Sequence, residues 1–146
     1  MQPLSDKQTI IDQITTLNFP AGQYIILGEG SLAIRGLRDT KDLDILVEPE
    51  LFATLAKTWP LDSAYEQKWN RKRLKKGNIE VYPDMYLEKE ACFLDVSELI
   101  QSAEIVEGIP LQPIDNLLRC KLDTGGEKDL RDVVLIKKYL LNNKTC

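Results

Sequence analysis

The residues able to do chemistry are concentrated in LGEGSLAIRGLRDTKDLDILV, residues 27–47. Gly28 and Gly30 bracket Glu29 and lead into Ser31; after ten intervening residues come Asp42 and Asp44, with Leu43 between them. Glycines let a backbone approach a phosphate closely, and a helix N-terminus supplies free N–H groups and a positive dipole end. Ser31 adds a hydroxyl at that place. Alternate residues of a strand face the same way, so Asp42 and Asp44 project together, about 7 Å apart along the backbone. Two carboxylates so placed repel unless a cation sits between them. Mg²⁺ or Mn²⁺ accepts such hard oxygen ligands and is usually shared with substrate phosphates. Each part alone is common, because glycine turns join many strands to helices and paired aspartates line many solvated strands. Their order and spacing together point to a phosphate-and-metal site.

The elements that must carry these residues are legible from periodicity. Ser5 is placed to cap a first helix, with Gln8 at the capping-box position and Ile10, Ile11, Ile14 and Leu17 on one face. Tyr24–Leu27 reads as a strand, Gly28 and Gly30 as a tight turn, and Ser31 as the start of a helix ending near Gly36. Leu43, Ile45 and Val47 alternate along a second strand, and Pro49 opens a helix through Lys57. Residues 64–94 read as β, with Gly77-Asn78 as the turn of a hairpin and NIEVY as its second strand. A short helix is expected over 95–102, a firmer one from Pro113 with Ile114, Leu117, Leu118 and Leu122 at helical spacing, and a stop at Gly125-Gly126. Leu130, Val133, Val134, Lys137, Leu140 and Leu141 describe a last amphipathic helix. The expectation is one α+β (α/β-like) domain over residues 1–146, a small mixed sheet flanked by helices.

Composition narrows the chemistry. The 146 residues include no histidine, which excludes histidine triads and His-ligated zinc. The cysteines, Cys92, Cys120 and Cys146, are odd in number and far apart, which fits a reducing interior, so a cytoplasmic location is expected. No apolar run is long enough to span a bilayer, and the first residues lack a signal-peptide design. Net charge is −4, yet residues 68–76, KWNRKRLKK, hold six cations and no acid, leaving the rest strongly acidic. That segment reads as a solvated hairpin tip or, with Trp69, as a guide for a polyanion such as RNA. Arg35 and Arg38 flank the glycine turn and are placed to pair with phosphate or with neighbouring acids.

The pattern Gly-Ser, about ten residues, then Asp-h-Asp-h, with h apolar, resembles the signature of the nucleotidyltransferase superfamily, the polymerase-beta-like fold. The resemblance implies that Gly28, Gly30 and Ser31 hold nucleotide phosphates and that Asp42 and Asp44 bind Mg²⁺ or Mn²⁺. A third carboxylate is implied on a neighbouring strand: Glu80 in Ile79-Glu80-Val81 fits that context, with Asp84 in YPDMY as the fallback. Lys121 and Lys128-Asp129-x-x-Asp132 are similar to a pattern in small bacterial nucleotidyltransferase-like proteins, including toxins of the abortive-infection E type. Gly126-Glu127 stand where those relatives often carry an arginine. Position in a helix offers another reading, Lys121 as a solvated lysine and Asp129 as a first-turn acid favoured by the dipole. The implied activity is transfer of a nucleoside monophosphate from Mg-NTP to an RNA, protein or small-molecule acceptor. The alternative implied is a non-catalytic nucleotide-binding or regulatory protein of that fold, or a toxin–antitoxin component.

Overall fold

The computed structural model describes residues 6–143. In chain order the elements are α1 (Asp6–Leu17), β1 (Tyr24–Leu27), α2 (Gly28–Ile34), β2 (Leu43–Val47), α3 (Pro49–Leu55), α4 (Ser63–Trp69), β3 (Leu74–Lys76), β4 (Ile79–Tyr82), β5 (Tyr86–Leu87), β6 (Cys92–Phe93), α5 (Val96–Gln101), β7 (Glu104–Val106), β8 (Ile109–Leu111), α6 (Ile114–Thr124) and α7 (Glu127–Asn142). Six strands form one mixed sheet in the order β3-β4-β2-β1-β8-β7, while β5 and β6 pair separately. The fold class is α+β.

Sheet register follows from alternation. β1 runs antiparallel to β2 with Ile26 opposite Ile45 and Leu27 opposite Asp44. β4 runs parallel to β2 with Asp44 opposite Glu80 and Ile45 opposite Val81. On one face Ile26, Leu43, Ile45, Val47 and Val81 pack with Ile10 and Ile14 of α1 and with Leu51 of α3. On the other face Ile25 and Leu46 meet Ile100 of α5, with Tyr82 packed against them. Asp44 and Glu80 occupy the same face as Leu46 and Tyr82, because residues two apart on a strand share a side. A slip of one residue would turn both carboxylates into the α1 core, so burial of the apolar face fixes where the acids point.

Several expectations are corrected. Residues 63–69 form α4, not a strand: Asp62 caps it by accepting the Tyr65 N–H at 3.2 Å, and Asn70 in the left-handed region ends it. Helical capping outweighs the β-like composition of the segment. The hairpin at Gly77-Asn78 is present, but its first strand is only Leu74–Lys76. The glycine turn is itself helical, since α2 starts at Gly28 rather than Ser31. The β7–β8 hairpin went unanticipated; its turn, Glu107-Gly108, has both residues at positive φ, as two-residue hairpin loops require. In α7 the buried residues are Asp132, Val133 and Ile136, whereas Leu130, Val134 and Leu141 are exposed. Ser5 and Cys146 lie outside the described residues; Cys92 and Cys120 are free thiols. Among the described residues no helix is long and apolar enough to cross a membrane.

Gly30 is a packing requirement. A Cβ there would stand 3.1 Å from Cγ2 of Ile26, which is fully buried in β1 and cannot give way. Gly30→Val is expected to lower stability by about 1–3 kcal/mol, the usual scale of overpacking. Urea denaturation checks this, and an unchanged midpoint would show that α2 has room to move off β1.

Candidate functional site

The site is built where β1 ends and β2 and β4 begin, beside α2. Gly28 opens α2 at φ +53, a conformation that suits a residue without Cβ. Its N–H donates to Gln112 Oε1 at 2.9 Å, and its carbonyl accepts the Ser31 hydroxyl at 2.7 Å. Ser31 is fully buried. The glycine-serine segment therefore spends two of its polar groups in bracing the strand-to-helix junction against the end of β8.

Asp42 is exposed just before β2, and Asp44 is half-buried within it. Neither makes an ion pair among the described residues, whereas Glu80 makes two. Its Oε2 accepts Arg73 Nη1 at 2.9 Å and the Tyr82 hydroxyl at 2.7 Å, and Lys75 Nζ lies 3.6 Å from Oε1. Burial first, then the charge and hydrogen bond of Glu80 and the charges of Asp42 and Glu29, push the Asp44 carboxyl up to about 7. Burial foremost, then the charge of Asp44, also pushes the Tyr82 phenol well above its usual range. Asp84, the other candidate for third carboxylate, follows β4 and turns to Arg71, 3.6 Å away. Its carboxyl is raised, chiefly by burial. The structure thus puts Glu80, rather than Asp84, beside Asp44.

The donor chemistry suits a hard divalent ion. Asp44 offers oxygen ligands without a neighbouring protein cation among the described residues, and Asp42 has only the charge of Lys128 acting on it from beyond ion-pair distance. Among the described residues no group of three or more His, Cys, Asp or Glu side chains is gathered closely enough to hold a metal ion by itself.

The lysines belong to a second arrangement. Lys121 is largely buried and lies 3.0 Å from Asp132 and 3.4 Å from Asp129. Asp132, almost fully buried, also accepts Arg38 Nη1 at 2.7 Å. Arg38 reaches Glu29 at 3.8 Å, and Lys128 pairs with the same carboxylate. Hydrogen bonds from Lys128 and Thr40 hold the Glu29 carboxyl below its usual range, although burial opposes them. Lys121 is therefore no solvated lysine, while Asp129, which also accepts the Gly126 N–H at 3.3 Å, does serve as a first-turn cap. Gly28 and Lys121 line one cleft of about 220 Å³ together with Tyr86, Gln112, Cys120 and Asp129; Lys128 does not line it. Arg35 points elsewhere: its Nη2 donates to Glu104 and to the Gln112 carbonyl, both at 2.8 Å.

The basic segment divides: Lys68, Lys72, Lys75 and Lys76 are exposed, as a solvated hairpin tip would have them, whereas Arg71 and Arg73 are half-buried. Arg71 pairs with Asp84 and lies over Tyr86, and Arg73 binds Asp62, Glu80 and Tyr82. Residues that sequence reasoning missed are Glu29, Arg73, Tyr82 and Gln112. Arg73 was hidden in a run of cations. Glu29 alone carried a signal, as a charged residue between two site glycines. Comparison with protein-family models, with curated proteins and with solved structures gave no match for this chain.

Asp44 gives the protein a pH dependence. A carboxyl at about 7 in the fold and near 4 in the unfolded chain keeps a proton on folding between those values. Its contribution is fully present below about pH 4 and is lost as pH rises through 7. In chelator-treated protein, stability should therefore fall between about pH 4 and 7, by at most about 4 kcal/mol, and level off above that. Asp44→Asn should flatten that fall. Urea denaturation at several pH values reads the difference, and parallel curves for both proteins would exclude the assignment.

Proposed function

We propose that the chain is a metal-dependent nucleotidyltransferase of the polymerase-beta-like type, moving a nucleoside monophosphate from an NTP to a hydroxyl or phosphate acceptor. The observation that carries this reading is the pairing of Asp44 with Glu80 on parallel neighbouring strands, with Asp42 two residues before Asp44. Support comes also from the mixed sheet flanked by helices, in which the Gly-Ser segment joins β1 to the strand that carries Asp44.

Asp42 and Asp44 would hold Mg²⁺ or Mn²⁺. Bound there, the ion supplies charge neutralisation of the phosphates and orientation of the reacting oxygens. The chain's own part is alignment. An acceptor oxygen forms a bond to the α-phosphorus, the bond from that phosphorus to the bridging oxygen breaks, and pyrophosphate leaves. The acceptor's proton would pass to Glu80. The cleft between Gly28 and Lys121 would take the nucleotide, although Asp42, Asp44 and Glu80 do not line it, and a phosphate there would exchange for Asp129 on Lys121.

One observation favours the second reading, binding without turnover. Arg38, Lys121 and Lys128 each already hold a carboxylate, so an incoming triphosphate competes with Glu29, Asp129 and Asp132. Labelled NTP offered with RNA, protein and small-molecule acceptors separates the two. Turnover predicts Mg²⁺-dependent pyrophosphate release that Asp42→Asn and Asp44→Asn abolish, while Glu80→Gln lowers kcat by roughly 10²–10⁴ with little change in KM, as expected for loss of a proton acceptor. Tight Mg-NTP binding with no transfer to any acceptor would establish the non-catalytic reading instead.

A further inference from the structure

We infer that Arg73 stands in the place of a second divalent cation, so that the site holds a single metal ion on Asp42 and Asp44 while Glu80 is committed to the arginine. This rests on the metal-dependent reading of the site given above. Three features of the geometry lead to it.

Glu80 is already coordinated by protein. Its Oε2 accepts two hydrogen bonds, from Arg73 at 2.9 Å and from Tyr82 at 2.7 Å, which occupies both lone-pair directions of that oxygen. Its Oε1 faces Lys75, the residue directly opposite it on β3. Such charge-assisted bonds are among the stronger ones a carboxylate makes, and a metal would have to break them to recruit Glu80.

Arg73 is itself a fixed part of the fold. Asp62 Oδ2 receives its Nε and its Nη2, each at 2.9 Å, and the guanidinium carbon lies 4.2 Å from the centre of the Tyr65 ring. Asp62 is in turn fixed as the cap of α4. A planar guanidinium held on one edge, on one face and at its tip does not swing away as a surface lysine would.

Charge is distributed unequally among the three acids. Asp42 and Asp44 have no ion-pair partner among the described residues, and Glu80 has two cations. One divalent ion together with Arg73 and Lys75 matches Asp42, Asp44, Glu80 and the Asp62 that also holds Arg73. A second ion beside Glu80 would confront Arg73 at short range.

The test is a count of bound Mn²⁺ by equilibrium dialysis and electron spin resonance, on the full chain with a non-hydrolysable NTP analogue. The wild type should bind one ion per chain, and Arg73→Gln should gain a second, weaker one as Glu80 is released. Two ions on the wild type, or an unchanged single ion in Arg73→Gln, would overturn the inference. Should Arg73→Gln fail to fold, Glu80→Gln carries the test, since glutamine still accepts from Arg73 and Tyr82. Its single ion should bind within about twofold of wild type, and a loss beyond tenfold would show Glu80 to be a ligand. Two ions on the wild type leave the proposed function standing, whereas no ion at all removes the function and this inference together.

Discussion

Two carboxylates placed opposite one another on parallel strands are the constraint around which this protein is arranged. The β2–β4 register aligns Asp44 with Glu80, and the same register aligns Ile45 with Val81 in the apolar core. The acids cannot be moved apart without exposing that core, so their repulsion has to be met by what surrounds them. The surroundings meet it on one side only. Glu80 is given Arg73, Lys75 and the Tyr82 hydroxyl, while Asp44 is given Asp42 and Glu29 as further negative neighbours. An unfavourable site that persists within an otherwise well-packed sheet is a hypothesis of function, because strain of this kind survives only where something offsets it.

A second electrostatic cluster lies across α2. Glu29, Asp129 and Asp132 alternate with Arg38, Lys128 and Lys121, which ties the start of α2 to the helices that close the chain. Breaking a buried pair is costly while forming one yields little net stability, so the value of Asp132 is in holding α7 in one position against Arg38 and Lys121. The cleft beside Lys121 consequently has its one lining cation held in position by Asp129 and Asp132. Preorganisation of that sort lowers the entropy lost on binding, at the expense of a carboxylate that must be displaced.

Much of this was readable in the chain, for identifiable reasons. Asp42 and Asp44 were singled out because strand alternation is a strong local signal, although Asp42 lies just before β2, and Glu80 was singled out through the resemblance. The helices after Pro113 and Gly126 were legible from punctuation. What sequence could not give was pairing. Nothing local shows that Arg73, one of six cations in nine residues, is the one fixed by Asp62, or that Lys121 meets Asp132 across a helix pair. The α4 segment was misread because aromatic residues suggested a strand, although Asp62 and Asn70 are placed as helix caps. The β7–β8 hairpin was missed because strands of three residues are too short for a period to register. Even so, β8 pairs with β1 and delivers Gln112, whose side chain holds Gly28.

The asymmetry between Asp44 and Glu80 also accords with the basic segment standing just before the strand of Glu80 in the chain. Residues 71–76 lead into and form β3, and β3 pairs antiparallel with β4, so a cation one residue before the strand and another within it fall beside Glu80. A tight Gly77-Asn78 turn makes that delivery local, needing no distant element to fold first. Asp44, by contrast, has β1 and β4 as its neighbours, and neither strand brings a cation: Leu27 lies opposite on one side and Glu80 on the other. The topology thus guarantees compensation for one carboxylate and denies it to the other. A sheet built for stability alone would place an apolar or cationic residue at position 44; retention of an acid there leaves a proton or a metal ion as the means of neutralising it.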